Sequence, residues 1–337
     1  MYPKLQLVFM KSHDNDFDGS LKRNEKVPMA TMPIARTAAR APRLRRGHPL
    51  RRRQRAGLFF VLPAILLVVV LFVIPTLWTV VVSFFDYSLL GNLTFTSLDN
   101  YARAFRDAGL LRAIGFTTLY TVVVTVVLFV VGFGLALLVS ANRRGISVFR
   151  TIYVVPVVIG FATASYITLW ILDGRIGILN HILGDLGVID APISWFGSFG
   201  LAFALVIVLV VWKTVGLTML LLMSGMNAIS ADIYEAAELD GAGWWRKLTS
   251  ITMPLLRPTI ALVLILTVIS SYLAFDQFFI LTQGGPDSST ITVVYLIYRA
   301  GFIDFDLGYA SALSVLLMVI LLLLTIVQFR ILRKDND

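Results

Sequence analysis

Few side chains in this sequence are equipped to make or break covalent bonds. Cysteine is absent, so disulfides, thiolate metal sites and cysteine nucleophiles are excluded. The three histidines, His13, His48 and His181, lack the spacing of metal ligands. Neither an acidic metal-binding pair nor a serine–histidine arrangement is seen in the polar stretches. A G-x-x-x-x-G-K-[S/T] phosphate loop is also missing. What remains suits recognition. One set lies inside apolar runs: Trp212, Lys213 and Thr214, then Tyr272, Phe275, Asp276 and Gln277. A charge at the centre of a spanning helix costs about 2.5–3.5 kcal/mol on insertion scales, so such groups belong on the protein interior or beside water. Aromatic faces beside an amide and a carboxylate suit a sugar, whose C–H faces stack and whose hydroxyls hydrogen-bond. The same residues also suit a structural role, with Asp276 paired to Lys213 and with Tyr272 and Gln277 joining helices.

The second set is polar and local: Glu235, Ala236, Ala237, Asp240 and Gly241, followed by Pro254. Ser230 stands where an N-cap belongs, and Asp232 falls in the first turn, where negative charge suits the helix dipole. Gly241 can stop the helix in a left-handed conformation. Trp244, Trp245, Leu248 and Ile251 form another apolar set; Pro254 should end it, and Pro258 suits the first turn of the next helix. The spacing therefore predicts two short helices about a glycine corner, a compact docking knob at a membrane surface.

The elements that must carry these sets are long and apolar. Of 337 residues, 58% are hydrophobic and 15% charged, which indicates a polytopic membrane protein. Apolar runs cover residues 58–84, 112–140, 151–172, 200–224, 259–282 and 308–330, each long enough to span as a helix. Pro63, Pro75 and Pro156 are expected to kink the runs that hold them. The net charge of +9 is too unevenly spread to indicate nucleic acid. Arg43, Arg45, Arg46, Arg51, Arg52, Arg53 and Arg55 crowd an N-terminal arm, residues 1–57, and Met29 or Met32 is an alternative start. Arg143, Arg144 and Arg150, then Arg246, Lys247 and Arg257, then Arg330, Arg333 and Lys334 share its side. Arg103, Arg106, Arg112, Arg175 and Arg299 lie opposite. The bias places both termini and the knob in the cytoplasm. The expected organisation is a basic arm (1–57), a six-span domain (58–330, with the knob loop at 229–257) and a cytoplasmic tail (331–337).

The knob also carries a resemblance. Glu235-Ala236-Ala237, Gly241 six residues after the glutamate, then Ile251 and Pro254 resemble the signature loop of bacterial ABC importer permeases. The stretch from Ala231 to Ala242 is similar to the carbohydrate branch, with Ser230 where that branch usually has proline. Leu98, Tyr101 and Phe105, the segments 177–180 and 193–196, and Gly284-Gly285-Pro286 look like outer features of the same family. The resemblance implies an all-α polytopic fold, the type I importer permease with six transmembrane helices and a cytoplasmic coupling helix. It implies alternating access in a bacterial inner membrane. The implied partners are a second, related permease subunit in a heterodimer, two cytoplasmic ATPase subunits and an extracytoplasmic solute-binding protein, with membrane lipid around them. It implies no cofactor or metal in this chain, since ATP and Mg belong to the ATPase, and no enzymatic role. The implied cargo is a sugar or sugar-like solute; glycerol-3-phosphate or a glycerophosphodiester is the alternative. An ion-driven carrier would need buried carboxylates, of which Asp276 is almost the only deep one, and a membrane-embedded enzyme finds no catalytic set here.

Overall fold

The computed structural model describes residues 61–88, 91, 93–140 and 145–333. The unit Met1–Phe60, with the basic arm, lies outside the described residues, as do Arg143, Arg144 and Lys334. The chain from Val61 onward is one compact unit.

Helix α1 (Val61–Val82) leads to a two-stranded antiparallel hairpin, β1 (Phe85–Asp86) and β2 (Thr94–Phe95). Then follow α2 (Asp99–Arg106), α3 (Ala108–Ser140), α4 (Ile146–Val158), α5 (Phe161–Ile171), α6 (Ile178–Asp185) and α7 (Phe199–Asn227). The knob is α8 (Ala231–Leu239) and α9 (Trp244–Leu255). The chain returns as α10 (Arg257–Tyr272), α11 (Val293–Ile303) and α12 (Leu307–Arg333). Among the described residues, four helices, α1, α3, α7 and α12, are long and apolar enough to cross a membrane by themselves, and the total rises to six if each of two bent pairs counts as one span.

One bend, of 66° between α9 and α10, falls at the expected corner between Pro254 and Pro258, and the other lies just past Pro156, where a kink was also expected. The third run is broken by 96° between α4 and α5. Pro156 lies inside α4, and Ile159 and Gly160 are extended. The fifth run stops as a helix at Tyr272; Leu273 to Phe275 are irregular, and a π-helical turn follows at Phe278–Thr282. Irregular backbone at membrane depth survives only where protein or a cavity satisfies it. Thr292 does so here, donating its hydroxyl to the carbonyl of Ala274 at 2.9 Å while accepting the Tyr295 amide at 3.2 Å.

Helix α7 is the hub. More than half of its spanning window is buried, against 6% for α1. Small residues let neighbours approach it closely. A Cβ added to Gly216 would collide with the carbonyl of Tyr153 on α4, and one on Gly132 of α3 would lie 2.5 Å from Thr218 Cγ2. The largest buried cluster joins Tyr120, Val124 and Leu128 of α3 to Val206 and Val210 of α7 and to Phe278.

At the arginine-poor end, α2 ties α1 to α12. Asn100 donates Nδ2–H to the carbonyls of Ser83 (3.0 Å) and Phe85 (2.9 Å). Tyr309 donates its hydroxyl to Asp107 at 2.7 Å, and Arg103 pairs with Asp306 at 2.6 Å while sitting 4.0 Å over the Tyr309 ring. Burial alone would raise the Asp107 carboxyl. The Tyr309 hydroxyl, the amides of Gly109 and Leu110 and the Arg103 charge instead hold it below the usual carboxylate range. The packed face of α2 is Asn100 and Ala104, whereas Leu98 and Phe105 are exposed.

Candidate functional site

The knob is built from local signals. Helix α8 ends in a Schellman motif: Ala242 N–H bonds the Ala237 carbonyl at 2.8 Å, and Gly241 N–H bonds that of Glu238 at 3.0 Å. Gly241 has φ +75°, the left-handed conformation that glycine adopts without strain. Ser230 holds the N-cap position with extended backbone, but its hydroxyl makes no capping bond. Helix α8 buries none of its residues; Glu235, Ala236 and Asp240 are exposed and Ala237 is half-buried. Leu239 is 90% and Trp245 71% exposed, large apolar groups held in the open. The knob is nonetheless braced. Tyr234 and Thr252 share a hydrogen bond of 3.0 Å between their hydroxyls, and Lys247 pairs with Glu238 at 2.6 Å. Lys247 holds the Glu238 carboxyl below its ordinary range. Pro254 lies near the end of α9, just after a π-helical turn at Leu248–Thr252.

The second place is a cavity of about 460 Å³. Its walls come from α3, α5, α7 and the broken end of α10. Of the residues singled out in the apolar runs, Thr214, Phe275, Asp276 and Gln277 line it. Gln277, buried, donates Nε2–H to the Tyr120 hydroxyl at 3.1 Å, and Phe275 stacks on Phe279 with ring centres 5.0 Å apart. Tyr272 does not line the cavity; its hydroxyl meets that of Thr118 at 2.8 Å and joins α10 to α3. Lys213 is buried and does not reach the cavity either. Its ammonium donates to the Val157 carbonyl at 3.4 Å and lies 4.2 Å over the Phe161 ring. It thus meets the last turn of α4, where a cation suits the helix dipole. Lys213 and Asp276 form no ion pair. Trp212, half exposed, lines a separate apolar groove with Pro156 and Val131. Reading the runs missed Tyr120, Phe161, Thr218, Thr267, Ser270 and Ser271, which also line the cavity. A usable signal existed: Thr267, Ser270 and Ser271 recur at helical spacing along one stripe of an otherwise apolar helix, as do Thr214 and Thr218.

Residues 132–334, which include the knob and most of the cavity wall, match the profile of the family described as binding-protein-dependent transport system inner membrane component. This chain belongs to that family. Among its relatives in this transport family is the sulfoquinovosyl glycerol transport system permease protein SmoG of Agrobacterium fabrum, 33% identical over 81% of this chain and 89% of that protein. Another is the trehalose/maltose transport system permease protein MalF of Thermococcus litoralis, 31% identical over 85% and 96%. The fold of the transport component is shared with a chain of a bacterial alginate ABC transporter, solved in complex with an alginate pentasaccharide-bound periplasmic protein. That match has a TM-score of 0.74 at 20% identity and covers 85% of this chain and 96% of the other. The chain is therefore a permease subunit of an ABC importer family that serves carbohydrates and glycerol phosphates, an all-α multi-pass membrane protein with the type I permease fold.

Proposed function

We propose that this permease subunit moves a sugar or sugar-like solute into the cytoplasm by alternating access, driven by a separate ATPase that docks on α8 and α9. The observation that carries the reading is the knob. It is a braced helix pair that hides almost nothing of itself and leaves Leu239 and Trp245 uncovered. Large exposed apolar groups rimmed by charge are typical of protein interaction sites. Glu235 supplies the polar contact to the ATPase, and Ala236, Ala237 and Gly241 allow close approach. Asp240 and Pro254 fix the corner and the return of the chain. Two ATPase subunits hold ATP and Mg; this chain holds no cofactor. A second, related permease completes the pathway, and a solute-binding protein delivers cargo from outside, as the periplasmic protein of the alginate complex suggests by analogy. The knob and both termini are cytoplasmic on this reading, in agreement with the arginine and lysine bias.

The test is purification of the full chain in mild detergent from its host, with identification of what accompanies it. Recovery of an ATPase, a second multi-span subunit and a binding protein supports the assembly. Recovery of the chain alone, under conditions that keep other importers intact, rejects it.

A further inference from the structure

The relatives in this family carry chemically different cargo. Sulfoquinovosyl glycerol bears a sulfonate, and alginate is described as an acidic polysaccharide, whereas trehalose and maltose are neutral. We infer that the cavity of this chain selects a neutral, hydroxyl-rich solute and disfavours phosphate, sulfonate or carboxylate groups. The inference rests on the cavity being part of the transport path proposed above.

The argument is an inventory of protons. Thr214, Thr267 and Ser270 donate their hydroxyl hydrogens to carbonyls of their own helices, those of Val210 (2.6 Å), Val263 (2.8 Å) and Thr267 (3.0 Å). What these three have left for a ligand is lone pairs, whereas the hydroxyls of Tyr120, Thr218 and Ser271 keep hydrogens that a ligand can accept. Gln277 directs Nε2–H to Tyr120, which leaves Oε1 as an acceptor, and Asp276 adds a carboxylate to the wall. Among the described residues, no lysine, arginine or histidine lines the cavity. Lys213 adjoins Thr214 in sequence, but its ammonium is engaged by the Val157 carbonyl and the Phe161 ring. A wall that both donates and accepts, and whose one charged side chain is a carboxylate, suits a neutral ligand that also does both. Sugar hydroxyls donate as well as accept; phosphate, sulfonate and carboxylate groups at neutral pH offer acceptors and negative charge, and recognition of them draws on arginine or lysine. The Phe161 and Phe275 rings supply the apolar surface that sugar C–H faces prefer.

Saturation-transfer NMR on the detergent-purified importer complex, without binding protein, tests this with matched probes: maltose and glucose against glucose 6-phosphate and glucuronate. The neutral probes should bind about tenfold more tightly than the anions, the discrimination expected for like unit charges about 10 Å apart at an effective dielectric near 20. Asp276→Asn should shrink that ratio to about threefold or less, because the neutral amide keeps the shape and loses the charge. Equal binding of anions and neutral sugars to the wild type overturns the inference. So does an unchanged ratio in D276N, or the absence of binding by any probe. An ATPase recovered with the same preparation leaves the importer assignment standing in each of these cases; loss of that assignment would show instead as a chain purified without an ATPase.

Discussion

Replacement of Gly241 separates folding of the membrane domain from assembly of the importer. Gly241 adopts φ +75° at the corner of the knob, and an added Cβ there would meet, among the described residues and apart from its chain neighbours, nothing within 4 Å. The cost of Gly241→Ala is therefore conformational, about 1–2 kcal/mol for an L-residue in the left-handed region. That lowers the population of the native corner about 5–30-fold. An ATPase that accepts only this corner loses apparent affinity by the same factor. Helix α8 buries no residue, so the strain is not passed to the core. The assay compares the wild type with G241A, G241V and G241N for three quantities: chain in the membrane, melting temperature in detergent, and ATPase co-purified at limiting concentration. G241A should leave the first two unchanged and lower the third about 5–30-fold. G241V should lower it further, since a β-branched residue tolerates positive φ worst, and G241N should retain most of it. If G241A and G241V keep full ATPase recovery and transport, the corner is not the docking element. If the chain itself is lost in proportion to the ATPase, the separation of knob from core is wrong.

Three further outcomes are expected. Gly216→Ala should destabilise the membrane domain by about 1–3 kcal/mol or more, read as a lower melting temperature, because its Cβ would press on the Tyr153 backbone and neither helix can give way cheaply. Thr292→Val should cost about 1–3 kcal/mol by leaving the Ala274 carbonyl and the Tyr295 amide without their partner, and Thr292→Ser should restore most of it; unchanged melting of T292V would show that water serves the break instead. The Glu238–Lys247 brace has a direction with pH. The glutamate sits below its ordinary value when folded, so the brace is intact above the ordinary range and fades as pH falls through the folded value. Amide exchange across residues 231–247 should accelerate there in the wild type, while E238Q should show the faster rate at neutral pH and no acid step.

The knob was legible because its signals are local. Gly241 and Pro258 act within a turn of their own positions, and the chain bends where they stand. Ser230 shows the limit of that logic, since its place in the sequence fixes the start of α8 while its hydroxyl makes no capping bond. The apolar runs located the long helices and Pro156 marked the break at Ile159-Gly160, but the break at Leu273–Phe275 has no proline or glycine to announce it. Those breaks are stabilised from far away, by Lys213 on α7 and by Thr292 beyond the π-helical turn. Composition cannot display partners 56 and 18 residues distant. The cavity suffers the same difficulty: Tyr120 and Gln277 meet across 157 positions, and the sequence announces the wall only through Phe275, Asp276 and Gln277 and the polar stripes on α7 and α10. On α2, apolar spacing drew attention to Leu98, Tyr101 and Phe105; Tyr101 does reach the end of α1, its hydroxyl 2.6 Å from that of Ser83, while Asn100, which the spacing did not mark, joins α2 to the carbonyls of Ser83 and Phe85.

Helix α7 has 29 residues, a rod about 43 Å long. Thr214 and Thr218 stand on the cavity at mid-length, and Asn227 leads into the knob three residues later. Gly225, near that end, is seated on Leu256 and Thr259 at the root of α10, whose far end forms the opposite wall of the same cavity. Both walls thus run to one short root. A tilt of about 10° imposed there would travel about 16 Å along the rod from Gly225 to Thr214 and emerge as a shift of about 3 Å, comparable to the length of a hydrogen bond. Gearing of that kind needs no hinge inside α7; it needs only that the rod stay straight and its root stay clasped.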